Sequence, residues 1–105
     1  MVRRIQLGSE TGVIESFKSK TEEALFDGLS PKSFPPDLVK VARRKLRMLH
    51  AAERLEDLRC PPGNRLETLS GDRKGFHSIR INDQFHLCFR WTNAKVHEVE
   101  IVDYH

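Results

Sequence analysis

Cysteine, tyrosine and tryptophan are scarce in this chain: two, one and one among 105 residues. Two cysteines, Cys60 and Cys88, make no disulfide framework, so reduced thiols in a cytoplasmic protein are the expectation. No apolar run approaches the ~20 residues that a membrane-spanning helix needs. The opening stretch MVRRIQLGSE lacks the apolar centre of a signal peptide, and repeats and low-complexity tracts are absent. Neither sign of charge dominates, since 18 Lys and Arg against 15 Asp and Glu leave a net charge of +3. What is present is a globular composition, 38% hydrophobic and 31% charged, long enough for one domain with one modest core. Residues 1–12 show no clear period and are expected to be an N-terminal extension to a single domain over 13–105.

The first half of the chain reads as helices. VIESFKSK begins with a strand-like run, and TEEALFDG follows as a short helix, with Ser19 or Thr21 as its cap and Gly28 as its stop. Pro35 and Pro36 suit the start of a longer helix with Asp37 in its first turn. Leu38, Ala42, Leu46 and Leu49 recur at spacings of four, four and three, an apolar stripe for the core. Lys40, Arg43, Arg44 and Arg47 lie largely off that stripe. Such a basic helical face either tracks phosphates or is simply solvated. RCPPGNR then breaks the helix.

From Leu66 onward the period changes to two. HSIRI, FHLCFRW and HEVEIVDY are expected strands joined by short turns. Helices first and a three-stranded meander afterwards give an α+β fold, with helices on one face of a mainly antiparallel sheet. Phe85, Leu87, Phe89 and Trp91 alternate with Gln84, His86, Cys88 and Arg90, and the apolar set must face the core. A three-residue connection, Asn82 to Gln84, pairs Ile79 with Leu87, whereas a one-residue slip would flip every side chain. The same reasoning pairs Phe89 with Val99, Leu87 with Ile101, Arg90 with Glu98, Cys88 with Glu100 and Gln84 with Tyr104.

That register puts Arg80, His86 and Tyr104 on the face turned away from the helices. Arg can hold phosphate charge bidentately, and His and Tyr exchange protons. The plain alternative is a solvated sheet face carrying an ordinary Arg90–Glu98 pair. A metal site fails on spacing: His77, His86, His97 and Cys88 form no recognised ligand motif, and His77 and His97 are expected on the face opposite His86. Cys88 and His86 share a face but imply no nucleophile–base contact.

Three stretches, FPPDLVKVARRKLRML, PPGNRLETLSGDRKGFHSIRINDQFHLCFRW and VEIVDYH, together resemble the HigB-type toxins of the RelE superfamily, from roughly Ile14 to His105. The resemblance implies a compact RelE-like α+β endoribonuclease that needs no cofactor or metal and cuts messenger RNA in the ribosomal decoding site. It also implies neutralisation by a cognate helix-turn-helix, HigA-like antitoxin, with operator DNA reached only through the antitoxin complex. On this reading the catalytic set is Tyr104, His105, Arg80, His86 and Asp103. Tyr104 stacks on the nucleotide or assists proton transfer, Arg80 binds the scissile phosphate, and His105 is the acid/base candidate. Arg43, Arg44, Arg47, Arg65 and Arg73 are the candidate RNA or ribosome contacts. Two departures stand out. His86 takes the place of a basic residue, usually Arg, and Glu67 and Ser70 take the places of a His and a Lys found in some branches. The alternative implied by those departures is a catalytically weakened domain that binds RNA, ribosome or antitoxin.

Overall fold

The computed structural model describes residues 13–103, so Tyr104, His105 and the twelve N-terminal residues lie outside the described part. Helix α1 (Lys20–Phe26) starts at Ser19, whose hydroxyl accepts the Thr21 N–H, and stops at Asp27 before Gly28 at φ +94°. This positive φ is where glycine avoids the steric cost of a side chain. Pro36–Leu38 form one 3-10 turn that leads into α2 (Val39–Ala51). The helical run expected from sequence is thus split: α2 ends at Ala51, and Leu55–Arg59 form a separate 3-10 turn.

Four strands follow, not three. A two-residue strand β1 (Glu67–Thr68) precedes β2 (Phe76–Arg80), β3 (Phe85–Thr92) and β4 (Lys95–Asp103), and the sheet order is β1-β2-β3-β4, all antiparallel. Two residues flanked by polar chain are too short to show alternation, which is why β1 escapes a periodicity search. The core fills one face of this sheet. Ile79, Leu87, Phe89, Val96 and Val99 are fully buried with Leu25, Ala42, Leu46, Leu49 and Leu58 from the helical side.

Register in the first hairpin follows the apolar alternation. Ile79 pairs with Leu87 and Arg80 with His86, while the Asn82 side chain accepts the N–H groups of Gln84 and Phe85 to fix the turn. The β3–β4 ladder is regular from Phe85–Asp103 to Cys88–Glu100 and then shifts. Glu98 sits at φ +54°, an extra residue in β4, so that Arg90 pairs with His97 rather than Glu98. The Phe89–Val99 pair expected from an unbroken ladder falls at this bulge. His97 consequently shares the face of Arg90 and His86, contrary to the expectation for an uninterrupted strand. The Arg90–Glu98 contact survives across the bulge at 3.5 Å.

The outer edge of β4 is covered. Ile14 and Phe17 bridge in parallel to Val96 and Val99. Backbone bonds join Glu15 N–H to Val96 O (2.7 Å), Lys18 N–H to Val99 O (2.8 Å) and Val99 N–H to Ser16 O (3.2 Å). Farther along, the buried Glu22 carboxylate accepts the Ile101 N–H at 2.8 Å and the Ser19 hydroxyl. Backbone groups that would otherwise invite another strand are thereby paired.

On the core side of the β1 end, His77 packs against Phe89 with ring centroids 6.0 Å apart, and its Nδ1 lies 3.1 Å from Thr68 Oγ1. Burial holds its pKa below the usual 6.5. The unfolded chain therefore binds the proton more readily, so the neutral ring favours folding above pH 6.5 and that advantage disappears as pH falls through the lowered value. His77→Gln is expected to flatten the acid limb of Tm against pH below about 6.5. A limb of unchanged steepness in thermal melts would assign it to other groups.

Candidate active site on the uncovered sheet face

Side chains on the face away from the helices come in rows set by the ladder. Arg80, His86 and Val102 form one row, Ser78, Cys88 and Glu100 the next, and Phe76, Arg90 and His97 the third. The sequence-derived neighbours Arg80 and His86 are thus directly opposite one another, both half-buried. The Arg80 guanidinium meets the Asp83 carboxylate three residues on, at the turn end of the sheet. Next to this row, Asp103 closes the described strand opposite Phe85, and both its carboxylate oxygens lie 3.2 Å from Gln84 Nε2. The cation and the imidazole therefore meet at one end of the sheet, while Asp103, register partner of the core-packed Phe85, stands at the same end on the opposite face.

Arg73, one of the candidate RNA contacts, reaches the same sheet face farther along, at the Phe76 and Glu100 rows. Gly71–Arg73 make one 3-10 turn after β1. The Arg73 guanidinium carbon lies 4.9 Å from the centre of the Phe76 ring, and Nη2 lies 3.6 Å from Glu100 Oε1. It therefore spans from β2 to β4. Cys88 and Ser78 are both fully buried in the row below. Arg65 is exposed in a left-handed conformation, φ +47°, after the Pro62–Asn64 turn.

The basic face of α2 divides. Arg43 donates through Nε to Leu25 O at 2.8 Å and through Nη2 to Leu29 O at 2.7 Å. Arg47 donates to Phe26 O at 3.0 Å and stacks 5.0 Å from the Phe26 ring. Both satisfy carbonyls at and beyond the C-terminal end of α1, which has no basic residue of its own in its last turn. Arg44 is exposed on α2. Lys45, fourth in the basic run, is buried, with Nζ 2.5 Å from Asn64 Oδ1. Asn64 is a residue that sequence reading passed over inside PPGNRLE. Its amide also donates to Leu58 O and Cys60 O at 3.0 and 3.3 Å.

A cleft of about 540 Å³ lies elsewhere, between the start of α1, the Ser33–Pro35 bend and the ends of β3 and β4. Phe34, Phe85 and Ile101 line it with Glu22, and neither Arg80 nor His86 does. Among the described residues no three His, Cys, Asp or Glu side chains converge as a metal site. No helix among them is long and apolar enough to cross a membrane.

The family model for the HigB-like toxin, described as the RelE-like toxin of the type II toxin–antitoxin system HigB, matches residues 15–105. The chain belongs to the HigB-like toxin family. It is 42% identical over 79 residues to Toxin HigB-1 of Vibrio cholerae serotype O1, a match covering 74% of this chain and 83% of that protein. An uncharacterized protein of Haemophilus influenzae is 40% identical over 72 residues, covering 69% and 71% of the two chains. The matched span includes all four strands, Arg73, Arg80, His86 and the terminal Asp103-Tyr104-His105. Membership of a HigB-like type II family also implies a cognate antitoxin as partner.

Proposed function

We propose that this HigB-like toxin is a ribosome-dependent endoribonuclease that cuts messenger RNA in the decoding site. The observation that carries the reading is the Arg80–His86 pair on the uncovered sheet face, beside the strand end that leads into Tyr104 and His105. The chemistry suited to such groups is attack of a ribose 2′-hydroxyl on the adjacent phosphate. The 2′ proton is removed as the O–P bond forms, and the 5′ oxygen leaves with a proton, giving a cyclic phosphate and a free 5′-hydroxyl.

Arg80 neutralises the phosphate as its charge grows. His105 exchanges the proton, its ordinary pKa near 6.5 being suited to neutral pH. Tyr104 stacks on the base or assists that transfer, and Asp103 belongs with them at the strand end. His86, where the resemblance implies a basic residue, supplies charge only when protonated. Arg43, Arg44, Arg47, Arg65 and Arg73 are the proposed contacts to RNA and ribosome, with Arg43 and Arg47 also bonded to carbonyls around the end of α1. The ribosome is expected to align the 2′-hydroxyl with the phosphate, which lowers the demand on the protein's own groups. The antitoxin is proposed to be a HigA-like helix-turn-helix protein through which the complex reaches operator DNA, and the toxin to act in the cytoplasm.

His86 favours one second reading, a catalytically weakened toxin that binds the ribosome without cutting. Cleavage of a defined transcript on purified ribosomes with an occupied peptidyl site separates the two. The nuclease reading expects cuts within the decoding-site codon, none in ribosome-free RNA, and a loss of roughly a hundredfold or more in Arg80→Ala. Ribosome binding without cuts across several codons would hand the case to the weakened reading.

A further inference from the structure

We propose that Glu100 is the resting partner of Arg73, holding its guanidinium across the sheet face until an RNA phosphate takes the carboxylate's place. The inference rests on the endoribonuclease reading for the identity of the substrate, and names a positioning residue for that site. Glu100 stands in the row between Arg80–His86 and Arg90–His97, a carboxylate flanked by cationic or titratable side chains. Left without a partner it would repel the substrate's phosphates.

The Arg73–Glu100 geometry suits a contact that is made to be exchanged. At 3.6 Å the pair is longer than a direct hydrogen bond, and both side chains are over a third exposed, at 39% and 34%. Ion pairs of that kind are worth little in water. A phosphate offers the same guanidinium two parallel, charge-assisted hydrogen bonds. The contact with the Phe76 ring at 4.9 Å is independent of Glu100 and remains available as the pivot. Arg73 thus needs only a small swing about Phe76 to pass from carboxylate to phosphate. Glu100 meanwhile keeps it from the many other positions open to a long side chain on a loop.

Glu100→Gln removes the competing charge and keeps the side-chain shape. In ribosome-dependent cleavage it is expected to lower KM about threefold to tenfold with kcat within about twofold, the scale of one weak ion pair. Arg73→Ala is expected to raise KM, and Glu100→Gln placed in that background should have no further effect. A KM that stays or rises in folded Glu100→Gln protein would overturn the proposal. So would a gain that persists without Arg73, because that is a general charge effect. Should wild-type protein fail to cut at all, the nuclease reading falls by itself. The exchange is then judged by titrating a short single-stranded RNA at several salt concentrations. Tighter binding by Glu100→Gln that requires Arg73 supports it, and equal binding by all variants refutes it.

Discussion

Removing Tyr104 and His105 is expected to lower cleavage on ribosomes by at least about a hundredfold while leaving the domain folded, since a positioned acid or base contributes 10²–10⁴. The expectation about folding comes from β4. Its last core side chains, Val99 and Ile101, and the Glu22 bond to the Ile101 N–H all precede the deleted pair. The ladder still ends with Asp103 opposite Phe85. A thermal melt within a few degrees of wild type, together with lost cleavage, would place chemistry or substrate positioning at those two residues. Two single variants divide the roles. His105→Gln should lose most at the pH where the imidazole exchanges its proton, whereas Tyr104→Phe keeps the stacking ring and should lose less. Cleavage by the truncated chain at the wild-type rate would move the active site elsewhere on the sheet face.

The largest effect on stability is expected from Asn64→Ala. Asn64 is fully buried. Its Oδ1 accepts Lys45 Nζ at 2.5 Å, and its amide serves Leu58 O, Cys60 O and Met48 Sδ. Alanine strands a buried ammonium and two carbonyls at once, and each such group costs about 1–3 kcal/mol, more when charged. Burial, with a smaller contribution from neighbouring Arg44, already holds the Lys45 pKa below its usual 10.5. A loss of roughly 3 kcal/mol or more is expected, a fall in Tm of about 10–20 °C for a domain of this size. Lys45→Met in the Asn64→Ala background should recover part of it, because the stranded charge is gone. A fall in Tm smaller than about 3 °C would mean that water replaces the amide without penalty.

Strand register was readable because β2 and β3 alternate without interruption, and one buried face leaves a single acceptable phase. The bulge left a weaker trace. Val99 and Ile101 keep the two-residue spacing, but Val96 and Val99 are three apart and both fully buried, which only an extra residue allows. Arg43 and Arg47 show a different limit. Charge periodicity marks a polar helix face but carries no information on which acceptors it meets, here the carbonyls around the end of α1. Asn64 was hidden for a related reason, since a polar residue beside Pro and Gly reads as a turn whether or not the fold closes over it. At the candidate site, the Arg80–His86 pairing followed from alternation alone. The reach of Arg73 depended on the path of a loop, which has no period to read.

The extra residue at Glu98 also gives the β3–β4 hairpin two independent phases. On the tip side, Trp91–Val96 and Arg90–His97 are indexed from the turn at Asn93 and Ala94. On the far side, Leu87–Ile101 and Cys88–Glu100 are indexed by core contacts and by Glu22. The bulge is the joint at which a change of turn length can be taken up. A longer or shorter turn at the tip would thereby leave the faces given to Glu100, Val102 and Asp103 where the sheet interior holds them.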